Sequence, residues 1–373
     1  MSKPIRVLHV IGKRPQGGIG AFLLNVHRRI DIEKVQFDYL INADENEGFF
    51  DKEVKKLGGK VYLLPELSYK NTFKYLIQLN KFLKQHREYN IIHGHSVNIG
   101  VFYFSLAKMY GIKNRIAHSH STKYSNSKIN SMRNFILQIP LKLLANHYFA
   151  CSKEAGIFLY GKRAIKNNKV YIIKNAIECE EFRYNLSIRE DIRKELGINN
   201  EIVIGNVGRF SKEKNHSFML DIFSEINKKN SQSKLVLVGD GPLLEECKKK
   251  AEKLNIYKDV IFLGRRNDIN KILQAIDVFI LTSYFEGFGI SLIEAQATGL
   301  LTFASDVVPE EVQVTENIHL LSIEKSPKDW ADEINNKLEI FIRTDQSEVI
   351  KRNGFDIKIE VDKLEKYYIA LNM

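Results

Sequence analysis

Residues 201–228 run Glu201-Ile202-Val203-Ile204-Gly205-Asn206-Val207, then Gly208-Arg209-Phe210-Ser211-Lys212-Glu213-Lys214-Asn215-His216, then an amphipathic stretch over 217–228. A short β-branched run, a loop and a longer helical pattern form the repeating phrase of a parallel sheet covered by helices. The phrase recurs downstream, with strands expected at 235–238, 260–263, 278–281 and 301–304 and helices at 243–254, 269–275, 290–298 and 328–341. It also recurs upstream, with strands at 5–10, 37–41, 60–64, 91–93, 115–118 and 148–150 and helices at 21–29, 51–57, 73–86 and 101–109. The fold class is therefore α/β, two Rossmann-like doubly wound domains in tandem. The polar stretch 185–200 reads as their connection, giving domains at 1–190 and 200–355. A last helix, within 356–373, is expected to pack back on the first domain. Open sheets of this kind take ligands beyond the C-terminal ends of their strands, so two facing units place a site in the cleft between them.

The 373 residues suit two domains, and 44% hydrophobic with 27% charged side chains excludes a disordered chain. Three scattered cysteines, Cys151, Cys179 and Cys247, exclude a disulfide scaffold and read as inert thiols. No run is long enough for a signal-peptide core or a membrane span, so a cytoplasmic location is expected. Charge is uneven: residues 1–200 hold 33 Lys and Arg against 17 Asp and Glu, a net +16, and residues 201–373 hold 23 against 28, a net −5. Residues 101–150 carry seven basic side chains and no acidic one, interleaved with Tyr103, Phe104, Tyr110, Tyr124, Phe135 and Tyr148. Nucleic acid, an anionic membrane surface and a phosphate-bearing substrate all fit that segment. Nucleic-acid binding explains none of the ordered motifs of the second half and is not expected.

Four motifs carry chemistry. Pro15-Gln16-Gly17-Gly18-Ile19-Gly20 follows the first strand and lacks the spacing of a dinucleotide fingerprint or a P-loop; it is a tight strand-to-helix turn or a close approach to a ligand. His93-Gly94-His95 and His118-Ser119-His120 stand at strand ends, where period-two spacing sends each pair to one face. Two such pairs allow a metal site, but no carboxylate or cysteine accompanies them, which favours a polar role in the cleft for at least one histidine. Gly208, Arg209 and Lys214 bring two cations and backbone donors to the rim of the second domain, an arrangement suited to a diphosphate. Glu286-Gly287-Phe288-Gly289-Ile290-Ser291-Leu292-Ile293-Glu294 then places two carboxylates across a loop and a helix. Carboxylates accept hydrogen bonds from paired hydroxyls, as on a sugar or ribose.

With these residues in order, the chain resembles the retaining glycosyltransferases of family 4, of GT-B architecture, most closely those of bacterial capsular and exopolysaccharide clusters. The resemblance runs through Gly17-Gly18-Ile19, Val35-Gln36-Phe37-Asp38, Ala150-Cys151-Ser152-Lys153-Glu154-Ala155-Gly156, Asn175-Ala176-Ile177, Gly208-Arg209-Phe210, Leu237-Val238-Gly239-Asp240-Gly241-Pro242 and 286–299. It implies that Arg209 and Lys214 hold the donor diphosphate and that Gly18 borders it. It further implies that Glu286 contacts the donor sugar beside the amides of Gly287, Phe288 and Gly289, and that Glu294 holds the ribose. His120 is expected near the reacting carbon, with His95 and His118 on the acceptor side and the division of labour between His118 and His120 open. No cofactor and no essential active-site metal are implied.

The implied activity is transfer of a hexosyl or N-acetylhexosaminyl unit from a nucleotide-diphosphate donor, with UDP expected, to a hydroxyl of a lipid-linked glycan. A peripheral site on the inner face of the plasma membrane follows, with 131–144 as a candidate interfacial stretch. The alternatives are a nucleotide-sugar epimerase and a glycan phosphorylase of similar architecture. Three positions depart from the family pattern: Gly20 where Glu is common, Gly289 where Pro is frequent, and Gly299-Leu300-Leu301 without its usual Pro.

Overall fold

A computed structural model describes residues 3–14, 18–44, 46–68, 70–120 and 128–372. Pro15, Gln16, Gly17 and Tyr124 lie outside the described residues. The chain divides into two compact units, 1–175 with 357–373, and 176–356.

The elements of the first unit follow in order as β1 (Ile5–Ile11), α1 (Gly18–His27), β2 (Val35–Asn42), α2 (Phe49–Lys56), β3 (Val61–Leu64), α3 (Thr72–Gln85) and β4 (Ile91–Gly94). Then come α4 (Val97–Met109), β5 (Asn114–Ser119), α5 (Lys128–Leu144), β6 (His147–Ala150), α6 (Lys153–Tyr160), α7 (Lys162–Lys166) and β7 (Val170–Ile172). All seven strands are parallel, in the order β3-β2-β1-β4-β5-β6-β7. Strands buried on both faces lose the apolar/polar alternation of a half-exposed sheet, and every residue of β2 is buried.

The second unit contains α8 (Leu186–Glu195), β8 (Ile202–Val207), α9 (His216–Lys229), β9 (Ser233–Val238), α10 (Leu244–Lys253), β10 (Val260–Gly264), α11 (Ile269–Ala275) and β11 (Val278–Leu281). It continues with α12 (Ile290–Ala297), β12 (Leu301–Ser305), β13 (Ile318–Leu321), α13 (Pro327–Glu339) and α14 (Ser347–Ile350). Its parallel sheet runs β10-β9-β8-β11-β12-β13. The final helix, α15 (Ile357–Asn372), belongs to the first unit. There Tyr368 is fully buried, and Glu365 accepts from the Asp31 amide (3.1 Å) and pairs with Lys34 (3.2 Å).

Three features differ from the sequence reading. Residues 185–200 hold a helix, α8, capped by the Asn185 side chain, which accepts from the Ile188 amide (3.1 Å). Its apolar positions Ile188 and Ile192 stand one turn apart and pack on the second core, so a charged surface concealed an amphipathic element. The first unit ends at Asn175, before the expected 190, because Ile177, Cys179, Phe182 and Ile192 sit in the core of the second. Edge strands β7 and β13 were not anticipated; they are three and four residues long, too short to show a period. The three cysteines are buried and form no disulfide among the described residues.

Candidate active site

In the second unit the strand order reverses between β8 and β11, and the loops leaving these two strands carry the expected residues. Gly208 and Phe210, after β8, are bound to the loop after β9: the Gly208 amide donates to Val238 O (2.9 Å), the Phe210 amide to Asp240 O (3.0 Å), and Leu243 donates back to Phe210 O (3.1 Å). A Cβ at Gly239 would collide with the Gly208 carbonyl, and one at Gly241 with that of Phe210. The glycines of Gly239-Asp240-Gly241 therefore let one main chain brace another. The buried Phe210 ring stacks on His216 (4.2 Å between centroids, planes 16° apart). Anchored on both sides, Arg209 projects its guanidinium outward, exposed and without a hydrogen bond or ion pair among the described residues.

A 3₁₀ turn at Lys212–Lys214 and a left-handed Asn215 (φ 51°) lead into α9. The loop after β11 is tied to this turn, since Thr282 Oγ1 donates to Asn215 O (3.0 Å) and the Tyr284 amide to Glu213 O (2.8 Å). The result brings two expected site residues, 72 positions apart, into direct contact: Lys214 Nζ pairs with Glu286 Oε2, which also accepts from Ser283 Oγ (3.3 Å).

Gly289 starts α12 at φ 83°, a conformation open to glycine and closed to proline, whose ring holds φ near about −65°. The absence of the family's Pro at this position thus has a backbone counterpart. The amides of Gly287, Phe288 and Gly289 make no hydrogen bond among the described residues, so the start of α12 presents a row of unpaired donors. The Phe288 ring, in contrast, is 5% exposed and lies in the core beside Phe355 (5.9 Å), so this residue offers only its main chain. One turn into α12, the Glu294 carboxyl has no partner among the described residues, and burial pushes its pKa up to about 8.

In the first unit the paired spacing of the histidines holds and extends further than expected. Register sets His9 of β1 beside His93 of β4, and five imidazoles lie on one face across three adjacent strands. His9 Nδ1 meets His95 Nε2 (2.9 Å) and His95 Nδ1 meets His120 Nε2 (2.8 Å). In a second row the Tyr368 hydroxyl meets His93 Nδ1 (2.6 Å), and His93 Nε2 meets His118 Nδ1 (3.0 Å). The His9 and His95 centroids are 5.2 Å apart with planes 16° apart, which at that nitrogen separation sets the rings edge to edge with donor and lone pair aligned.

Burial lowers the pKa of all five histidines, that of His120 to about 4, so the rows are neutral near pH 7. The triads His9/His93/His95 and His95/His118/His120 each lie within reach of a single metal ion; their paired nitrogens bond one another, whereas His9 Nε2, His118 Nε2 and His120 Nδ1 have no partner among the described residues. His9 and Tyr368 were not singled out from sequence. The signal for His9 was present as the one polar residue in the apolar run Val7–Ile11; Tyr368 comes from 275 positions away and had none. Gly18 opens α1, and no helix among the described residues is long and apolar enough to cross a membrane.

Residues 16–181 match the model of Glycosyltransferase Family 4, and residues 188–354 match that of Glycosyl transferases group 1. Over 333 residues the chain is 31% identical to the putative glycosyltransferase EpsF of Bacillus subtilis, covering 88% of this chain and 86% of that one. The chain is a family 4 glycosyltransferase. This glycosyltransferase is also 28% identical, over 80% of its length and 79% of the relative's, to an Escherichia coli enzyme named UDP-Gal:alpha-D-GlcNAc-diphosphoundecaprenol alpha-1,3-galactosyltransferase. Its fold is GT-B: a structure of Anabaena HepE in complex with UDP and glucose superposes with a TM-score of 0.81 at 19% identity, covering 98% of this chain and 100% of that one. Nothing in these matches favours the epimerase alternative.

Proposed function

We propose that this glycosyltransferase moves a hexosyl or N-acetylhexosaminyl unit from a UDP-sugar to a hydroxyl of a lipid-linked glycan, with retention at the anomeric carbon, in the assembly of a bacterial surface polysaccharide. The observation that carries the donor half is the convergence in the second unit of the unpaired Arg209 guanidinium, the Lys214–Glu286 pair and the unpaired amides of 287–289. A nucleoside diphosphate meets each part. Arg209 and Lys214 neutralise the departing diphosphate, the amides add fixed dipoles, and Glu286, released from Lys214 as that cation turns to phosphate, accepts from donor-sugar hydroxyls. With cations and amides at the leaving group, no metal is assigned to the reaction.

In the transfer step the bond from the anomeric carbon to the phosphate oxygen breaks, and the acceptor oxygen bonds the same carbon from the same face. The acceptor proton passes to the leaving phosphate oxygen. A His120 imidazole with pKa about 4 is neutral and a poor store for that proton, which supports this route over general-base catalysis by the histidine. Its role is to hydrogen-bond the reacting sugar, with His95 and His118 behind it.

The acceptor and membrane half rests on α5. Met132, Phe135, Ile136, Ile139 and Leu143 follow helical spacing and are each more than half exposed, in the segment with seven basic and no acidic side chains. Such a helix lies in an anionic bilayer surface. The test is turnover of a panel of UDP- and GDP-sugars by the purified chain with and without a lipid extract, following released nucleotide and donor identity. Lipid-dependent release from one UDP-sugar is expected. Conversion of the donor without release or lipid would replace the transferase reading by an epimerase. Phe135→Asp with Ile139→Asp should abolish recovery on anionic vesicles; unchanged recovery would refute the membrane contact.

A further inference from the structure

The first unit contains a cavity of about 480 Å³ apart from the histidine rows. It opens at the carboxyl ends of β1 and β4, the neighbours between which the strand order turns, a position where parallel sheets take ligands. Its floor is the Gly12 amide donating to Ser96 Oγ (2.6 Å), and a Cβ at Gly12 would press on that hydroxyl, so glycine keeps the floor low.

The lining has two chemistries. Lys13 and Arg133 supply positive charge, Arg133 being braced on Asn134 Oδ1 at 3.0 and 3.1 Å. The carboxylate present, Glu66, stands 3.4 Å from Lys13, and both are exposed, so that pair is weak and exchanges readily for a stronger anion. Ile99 and Phe102 on α4 and Leu137 on α5 form an apolar wall. Arg133 and Leu137 are one turn apart on α5, which places a cation and an apolar side chain in register on one helix. The same helix carries the exposed apolar stripe Phe135, Ile136, Ile139 and Leu143.

We propose that this cavity binds the diphosphate head and the first isoprenoid units of a prenyl-diphosphate-linked acceptor, the head on Lys13 and Arg133 and the chain along Phe102 and Leu137 toward the stripe of α5. The inference rests on the lipid-linked acceptor reading above and gives that acceptor a place. A volume of this size suits a head group and a short tail and excludes a whole lipid.

The test is calorimetric binding of farnesyl diphosphate, inorganic pyrophosphate and farnesol to the full chain, below micelle-forming concentrations. Farnesyl diphosphate should bind at least about tenfold more tightly than either half alone. Lys13→Gln and Arg133→Gln should each weaken it by about tenfold, and Leu137→Gln should reduce it to the pyrophosphate level, while Glu66→Gln tightens it. UDP affinity should stay unchanged in all four variants. Phe135→Asp with Ile139→Asp, outside the cavity, should leave farnesyl diphosphate binding intact. Equal affinity for pyrophosphate and farnesyl diphosphate, or indifference to the Lys13 and Arg133 changes, overturns the proposal. Mutual displacement by UDP also overturns it and assigns the head position to the donor. Failure here would leave lipid-dependent sugar turnover in place, whereas failure of the transferase reading would remove it.

Discussion

Replacing Glu294 by glutamine separates what nucleotide binding gains from what folding loses at one side chain. The Glu294 carboxyl has no partner among the described residues and burial holds its pKa at about 8, so at pH 7 only about one tenth of it is ionised. If ribose hydroxyls donate to the carboxylate, binding must ionise it. Apparent affinity for a UDP-sugar should then rise by about ninefold from pH 6 to 7 and about fivefold from pH 7 to 8, and level off above about pH 9, with about 0.9 proton released per ligand at pH 7. The diphosphate of a UDP-sugar is esterified at both ends and does not titrate in this window, so the slope belongs to the protein.

Stability moves the opposite way. The unfolded carboxyl ionises near its ordinary value of 4.5 and the folded one near 8, so the native state binds more protons between them and loses stability as pH rises through that window. Glu294→Gln should therefore stabilise the free protein at pH 8.5 by about 2–4 kcal/mol while weakening UDP-sugar binding there and flattening its pH dependence. Calorimetry in buffers of different ionisation enthalpy counts the protons, and denaturant unfolding at pH 5 and 8.5 reads the stability. Proton-neutral binding at pH 7, or an unchanged slope in the variant, would refute the reasoning.

Arg209→Ala should lower kcat/KM by about 10²–10³-fold without altering the circular dichroism spectrum, because the side chain is exposed and packs on nothing that the fold requires. Gly289→Pro should abolish activity, whereas Gly289→Ala should cost about 1–2 kcal/mol of stability in thermal unfolding, since only the proline ring forbids φ 83° outright. His95→Phe breaks two buried hydrogen bonds and strands His9 and His120; a loss of about 2–4 kcal/mol on denaturant unfolding is expected, with roughly half of it from His9→Phe, and a loss under about 0.5 kcal/mol for His95→Phe would show that the row is not a connected chain.

Much of the proposed donor site could be read as a candidate in sequence because its residues are local along the chain. Arg209 and Lys214 follow one strand, Glu286 and Glu294 follow another, and each loop announces itself by glycine between an apolar run and a helix. Spacing placed the Phe288 amide beside those of Gly287 and Gly289, but only packing shows that its ring turns into the core. The doublets His93/His95 and His118/His120 were visible as period-two pairs on strand ends. The two rows they join were not, since a row crosses strands through register, and register is set by the whole sheet.

The sequence by itself determined the α/β class, the two sheets and the identity of the residues at their carboxyl ends, because strand runs and helix periodicity are properties of neighbouring residues. It also carried the charge asymmetry between the halves. Tertiary structure alone decided that 176–195 belongs with the second unit, that Lys214 meets Glu286, and that Tyr368 closes a histidine row. It alone set the burial that raises the Glu294 pKa and lowers that of His120. Contacts between residues tens to hundreds of positions apart, and the desolvation they impose, arise only when separate segments are packed against a common core.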